Sequence, residues 1–80
     1  MRLDKFLKVS RIIKRRTVAN EACDAGKVSI NGKVARASAN VKEGDRIDIT
    51  LGERVVSVEV VSVKETVRKE DAVNLYKPIS

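Results

Sequence analysis

Residues 2–32 read RLDKFLKVSRIIKRRTVANEACDAGKVSING, and this stretch decides the fold. Leu3, Phe6 and Leu7 recur at spacings of three and four, the period of an amphipathic helix. They predict a first helix over Arg2–Ser10. Asp4 near its start suits the helix dipole, and it stands four residues before Lys8, a favourable pairing direction. Val9 to Arg16 reads as a junction, with Ile12 and Ile13 turned inward between basic residues. A second helix starts either at a Thr17 cap or already near Lys14. Val18, Ala19, Ala22 and Cys23 form its apolar stripe, and small residues there let two helices approach closely. Gly26 is its natural stop.

The same stretch then changes period. In Val28-Ser29-Ile30-Asn31-Gly32-Lys33-Val34, alternating apolar residues flank Asn-Gly. That pair marks a two-residue hairpin, because a type I′ turn needs positive φ at both central positions. Ala35–Asn40 reads as a loop or irregular strand, and Lys42-Glu43-Gly44-Asp45 as a further turn. Ile47, Ile49 and Leu51 alternate as a half-buried strand. Gly52-Glu53 suits a II′ connection into a longer strand from Arg54 to about Val63. Val56, Val58 and Val60 share one face of it. Val61 and Val63 fall on the other, so a bulge is expected near Val60-Val61. Thr66 is the expected cap of a last helix, Val67–Leu75, docked through Ala72, Leu75 and Tyr76. The prediction is one α+β domain over residues 1–80: two N-terminal helices packed on a small antiparallel sheet, with a short C-terminal helix.

Eighty residues with 42% hydrophobic content supply one core, and a chain this short has a thin stability margin. The formal charge is +6 and the isoelectric point about 9.8. Residues 1–27 hold eight Lys/Arg and three Asp/Glu, a net of +5, whereas residues 28–80 hold nine and eight, a net of +1. A clustered excess is the footprint of a polyanion binder. Lys14-Arg15-Arg16 is self-repulsive unless an anion relieves it. Arg offers phosphate a planar two-pronged donor, and a helix N-terminus at Arg16-Thr17-Val18 adds backbone donors. Only Phe6 and Tyr76 are aromatic. Base-stacking platforms are therefore lacking, which favours folded or double-stranded RNA read through backbone and shape.

Catalysis finds little support. The chain has no histidine, the commonest acid–base residue. Cys23 reads as a small core residue, and Asp4, Glu21 and Asp24 as capping and pairing groups. No phosphate-binding glycine loop or metal-ligand cluster is present, so neither cofactor nor metal is expected. The single Cys23 fits a reducing compartment. No apolar run suits a signal peptide or membrane span. The expectation is a cytosolic monomer that is no enzyme and has no membrane partner.

Arg2-Leu3-Asp4, Arg11 to Ala19 and Gly26-Lys27-Val28-Ser29-Ile30-Asn31-Gly32-Lys33 together resemble the RNA-binding domain named after ribosomal small-subunit protein four (the S-four domain, or alpha-L motif). Val41, Gly44-Asp45, Ile47 and Ile49 fit its closing strand, so this likeness covers about residues 1–50. Lys14-Arg15 departs from the Ser-Arg of many members and raises the local charge. MRLDKFLKVSRIIKRRTVANEA, the hairpin and the ending Lys69-Glu70-Asp71-Ala72-x-Asn74-x-Tyr76 extend the resemblance over essentially the whole chain. They are similar to the stand-alone bacterial ribosome-associated quality-control P-site factors, the RqcP family. That resemblance implies binding to large ribosomal subunits obstructed by peptidyl-tRNA, with contacts to large-subunit rRNA and the tRNA near the P-site. It also implies a partner, RqcH, which adds an alanine tail to the stalled chain. Alternatives are a recycling factor for stalled large subunits like the family's heat-shock member, the RNA-binding module of an RNA-modifying enzyme, and a protein-interaction module using the Val-rich strands.

The expected phosphate contacts are Arg2, Lys5, Lys14, Arg15, Arg16 and Thr17, with Arg16 first because it stands at the entrance of the second helix. Lys27, Asn31 and Lys33 extend the surface through the hairpin. Arg11 either contacts RNA or braces Asp4. Leu3, Phe6, Ile12, Val18 and Ala22 are expected in the core.

Overall fold

Apolar residues at helical spacing fold the start of the chain into two short helices, as a computed structural model describes for residues 1–64 and 68–79. Helix α1 spans Leu3–Val9 and helix α2 spans Arg16–Asp24. Leu3, Phe6 and Leu7 of α1 are fully buried. Opposite them α2 places Ala19 and Cys23, one turn apart and equally buried. These small side chains allow the close approach. Val18 departs from the expected stripe and is 46% exposed. Turning Ala19 and Cys23 toward α1 leaves Val18 about 100° away around the helix, on a flank beside Ala22, Ala25 and Leu51. Ile12 and Ala22 are half-buried against the core.

Period-two sequence supplies the sheet. Strands β1 (Val28–Ile30), β2 (Lys33–Val34), β3 (Arg46–Leu51), β4 (Arg54–Val60) and β5 (Tyr76–Pro78) pair in the order β2-β1-β3-β4-β5. All neighbours are antiparallel. The register aligns Val28, Ile49 and Val56 in one row, and Ile30, Ile47 and Val58 in the next. These rows form the face that packs beneath the helices. Between β1 and β2, Asn31 and Gly32 hold φ of 52° and 85°, as a type I′ turn requires. Gly52 holds φ of 63° between β3 and β4.

Two expectations for the second half need correction. The long strand ends at Val60 rather than Val63. Beyond it the amides of Val61 and Ser62 both donate to the Leu75 carbonyl, so the ladder loses its one-to-one register there. The terminal segment is a 3-10 helix, Lys69–Leu75, followed by strand β5. The expected Thr66 cap and Val67 start lie outside the described residues. Ala72 and Leu75 are buried as anticipated. Pro78 fits β5 because an edge strand pairs on one side only.

Cys23 closes off the thiol question. Burial foremost, then the charges of Asp4 and Asp24, push its thiol up to about 11. We predict that a thiol-alkylating reagent at mildly alkaline pH leaves Cys23 unmodified in the folded protein and labels it in denaturant. Stoichiometric labelling of the folded chain would contradict its place in the core.

Candidate nucleic-acid interface

A carboxylate in the first turn of α1 organises the charged end of the molecule. The Asp4 side chain is only 3% exposed. The Arg2 guanidinium grips it with two prongs, Nε to Oδ1 at 3.2 Å and Nη2 to Oδ2 at 3.3 Å. Arg16 Nη2 reaches Oδ1 at 3.4 Å and Asn20 Nδ2 reaches Oδ2 at 3.3 Å. The Lys5 amide adds a bond of 2.8 Å. Asp4 therefore ties the start of α1 to the first two turns of α2. Burial alone would raise its pKa. Hydrogen bonds from Arg2, Asn20 and Arg16, with the charge of Arg16, outweigh that and bring it below the usual value.

The two arginines remain available outward. Their side chains are 51% and 47% exposed. A guanidinium carries five N–H donors, and Arg16 spends one nitrogen on Asp4. The carboxylate thus fixes two otherwise mobile cations and leaves donors facing solvent. Asp4, Arg16, Thr17, Asn20 and Glu21 line a shallow depression there.

The two helix starts differ. At α1 the Leu3 and Asp4 amides donate to the carbonyls of Ala39 and Ala37 at 2.8 and 3.2 Å. The loop after β2 thus caps α1 with backbone. At α2 the N-cap is Arg15, with no side-chain cap. The Thr17 hydroxyl caps nothing, because Thr17 lies inside the first turn. Among the described residues no group accepts from the Arg16, Thr17 and Val18 amides. The cations at that helix start, Lys14, Arg15 and Arg16, are all exposed.

Helix α2 also carries its charge the wrong way round for stability. Arg15 and Arg16 stand at the positive end of the helix dipole, Glu21 and Asp24 toward the negative end. Each such placement costs a few tenths of a kcal/mol or more. A local rule broken without internal compensation is the place where a functional surface is expected, and an anion at the α2 N-terminus would supply the missing compensation.

The remaining expected contacts scatter. Arg11 is exposed at φ 62° and closes α1 through its amide to the Lys8 carbonyl. Arg2 and Arg16 brace Asp4 instead of Arg11. Asn31 is engaged internally: its Nδ2 donates to Asp45 at 3.1 Å and its Oδ1 accepts the Arg46 amide at 2.9 Å. Lys27 and Lys33 are exposed at the base and tip of the hairpin. Lys5 is half-buried on α1. On the sheet two cations are paired in place, Arg46 with Asp48 and Lys77 with Glu59.

Sequence reasoning overlooked Asp4 as the organiser, Asn20 as its second-helix donor, and Arg36. The Asp4–Arg16 and Asp4–Asn20 pairs span 12 and 16 residues, beyond any helical spacing. An acidic first turn together with an unneutralised Arg at the next helix start was the available signal.

Two buried-face helices on an antiparallel hairpin sheet, with cations at an open helix start, define an RNA-binding module of the S4 type. The S4 domain family model matches residues 1–47. More narrowly, the chain belongs to the RQC P-site tRNA stabilizing factor family. It is 60% identical over 77 residues to the factor of that name from Halalkalibacterium halodurans, covering 96% of this chain and 88% of that one. Heat shock protein 15 of Vibrio cholerae, solved as a trimer, superimposes with a TM-score of 0.92 at 30% identity, over all of this chain and 82% of that one. The solution structure of HP1423 gives 0.84 at 32%, covering 100% and 98%.

Two outcomes follow from the charge layout. Asp4→Ala destabilises by about 1–3 kcal/mol, the cost of orphaning its donors, measured by urea unfolding. A depressed folded pKa means that the contribution of Asp4 holds above its unfolded value and is lost as pH falls through the folded one. Asp4→Ala therefore narrows its deficit against the parent in acid, and a deficit unchanged across that range would contradict the ion-pair account. Arg15→Gln raises stability by about 0.3–1 kcal/mol while weakening RNA binding. A variant losing both would mean that Arg15 serves the fold.

Proposed function

We propose that this chain is a non-enzymatic factor of ribosome-associated quality control. It binds large ribosomal subunits obstructed by peptidyl-tRNA and sits near the P-site against large-subunit rRNA and the tRNA. It acts as a single chain in the cytoplasm and supports alanine tailing of the stalled peptide by RqcH. The observation that carries this reading is the Arg2–Asp4–Arg16 clamp at an uncapped, like-charged helix start. Such a site gains by neutralising phosphate and offers nothing to drive bond chemistry. Kinship to factors named for P-site tRNA stabilisation supports the particular ribosomal target.

A recycling role like that of the heat-shock relative is the second reading, favoured by the shared fold. The 60% identity across 88% of the P-site factor weighs for the first. Arg16→Ala provides the test. Folded variant protein, checked by circular dichroism, is expected to lose co-sedimentation with peptidyl-tRNA-bearing large subunits by about tenfold or more. Undiminished binding would overturn the assignment.

A further inference from the structure

A second group of cations lies at the opposite end of α2, where the chain turns through Gly26 into β1. The β1–β2 register pairs Ser29 with Val34 and Ile30 with Lys33. The Ala35 amide then bonds the Val28 carbonyl at 3.0 Å. Extended past the ends of both strands, that register brings Arg36 opposite Lys27. Both are exposed, and among the described residues neither enters an ion pair. Like charges facing each other across strands cost stability. The neighbouring carboxylate, Asp24, accepts the Ala37 amide at 3.5 Å and pairs with neither cation.

The base of Arg36 is fixed. The Ala37 and Ala39 carbonyls that follow it cap α1, and Ala37 is buried. The hairpin on the other side is pinned by Asn31 to Asp45 and Arg46. Asn31 is thus a positioning residue for the hairpin cations, with both ends of its amide already spent.

Between the two cationic groups α2 presents Glu21 and Asp24, both exposed. Nine helical residues span about 13 Å. A single phosphate chain running along that flank would cross two carboxylates.

We propose that Lys27 and Arg36 form a second phosphate seat, and that it takes a different RNA segment from the one held at Lys14–Arg16. This rests on the RNA-binding reading above and deepens it: the chain bridges two RNA backbones. The probe is purified large ribosomal subunits carrying peptidyl-tRNA, titrated across a KCl series with folded variants. Lys27→Gln/Arg36→Gln is expected to weaken binding about tenfold and to reduce the log–log salt slope by about 1.5, the worth of two phosphate contacts. Its effect multiplies with that of Lys14→Gln/Arg15→Gln. Full affinity and slope in Lys27→Gln/Arg36→Gln, with loss only in Lys14→Gln/Arg15→Gln, would overturn the second seat while leaving the reading of function intact. Hydroxyl-radical footprints in which both double variants expose the same RNA nucleotides would mean that one backbone crosses the helix, and would overturn the two-segment arrangement. Parent-like binding by both double variants would overturn the second seat and the RNA-binding reading together.

Discussion

Donors from Arg2, Lys5, Arg16 and Asn20 converge on the Asp4 carboxylate, and the charged end of the molecule depends on that convergence. Without it, the two helices would rely on apolar burial at Leu3, Phe6, Leu7, Ala19 and Cys23. Apolar packing holds the helices together, but it says little about which way two exposed arginines point. A buried carboxylate does, because each guanidinium bond is directional. The same contact stabilises an ionised acid in a desolvated place and aims cations at solvent.

That economy explains why α2 is built against its own dipole. A helix with arginines first and carboxylates last is poor as an isolated element. In an 80-residue chain the loss is large relative to a margin of a few kcal/mol. The aliphatic core of Ile47, Ile49, Val58 and Val60 under α1 supplies what the helix lacks. On the sheet Arg46 and Lys77 are paired with Asp48 and Glu59. Unpaired cations mark both ends of α2, and phosphate is a partner that suits them.

Much of this was legible in residues 2–32. Spacing located α1, and Asn31-Gly32 fixed the hairpin and therefore the face of every later strand, since period two leaves no freedom once one pair is set. Charge bookkeeping found the α2 N-terminus. Tertiary pairing was not legible. Asp4 looked like a partner for Lys8, because sequence shows helical neighbours and hides Arg16 and Asn20 across the helix gap. Val18 looked apolar enough for the core, yet the choice of buried stripe belongs to α1. Strand β5 was missed because Lys77-Pro78 reads as a break, whereas an edge strand tolerates proline. Arg36 sat in a segment read as loop, and only extending the β1–β2 register past both strands brings it opposite Lys27.

The central claim is that the arginines fixed around Asp4 and the unpaired cations beside them hold phosphate. The most direct measurement is the equilibrium constant for peptidyl-tRNA-bearing large subunits across a salt series. Arg2, Lys14, Arg15 and Arg16 alone predict that log K falls linearly with log salt, with a slope of about −3 or steeper. A constant that stays flat across the series would contradict the account.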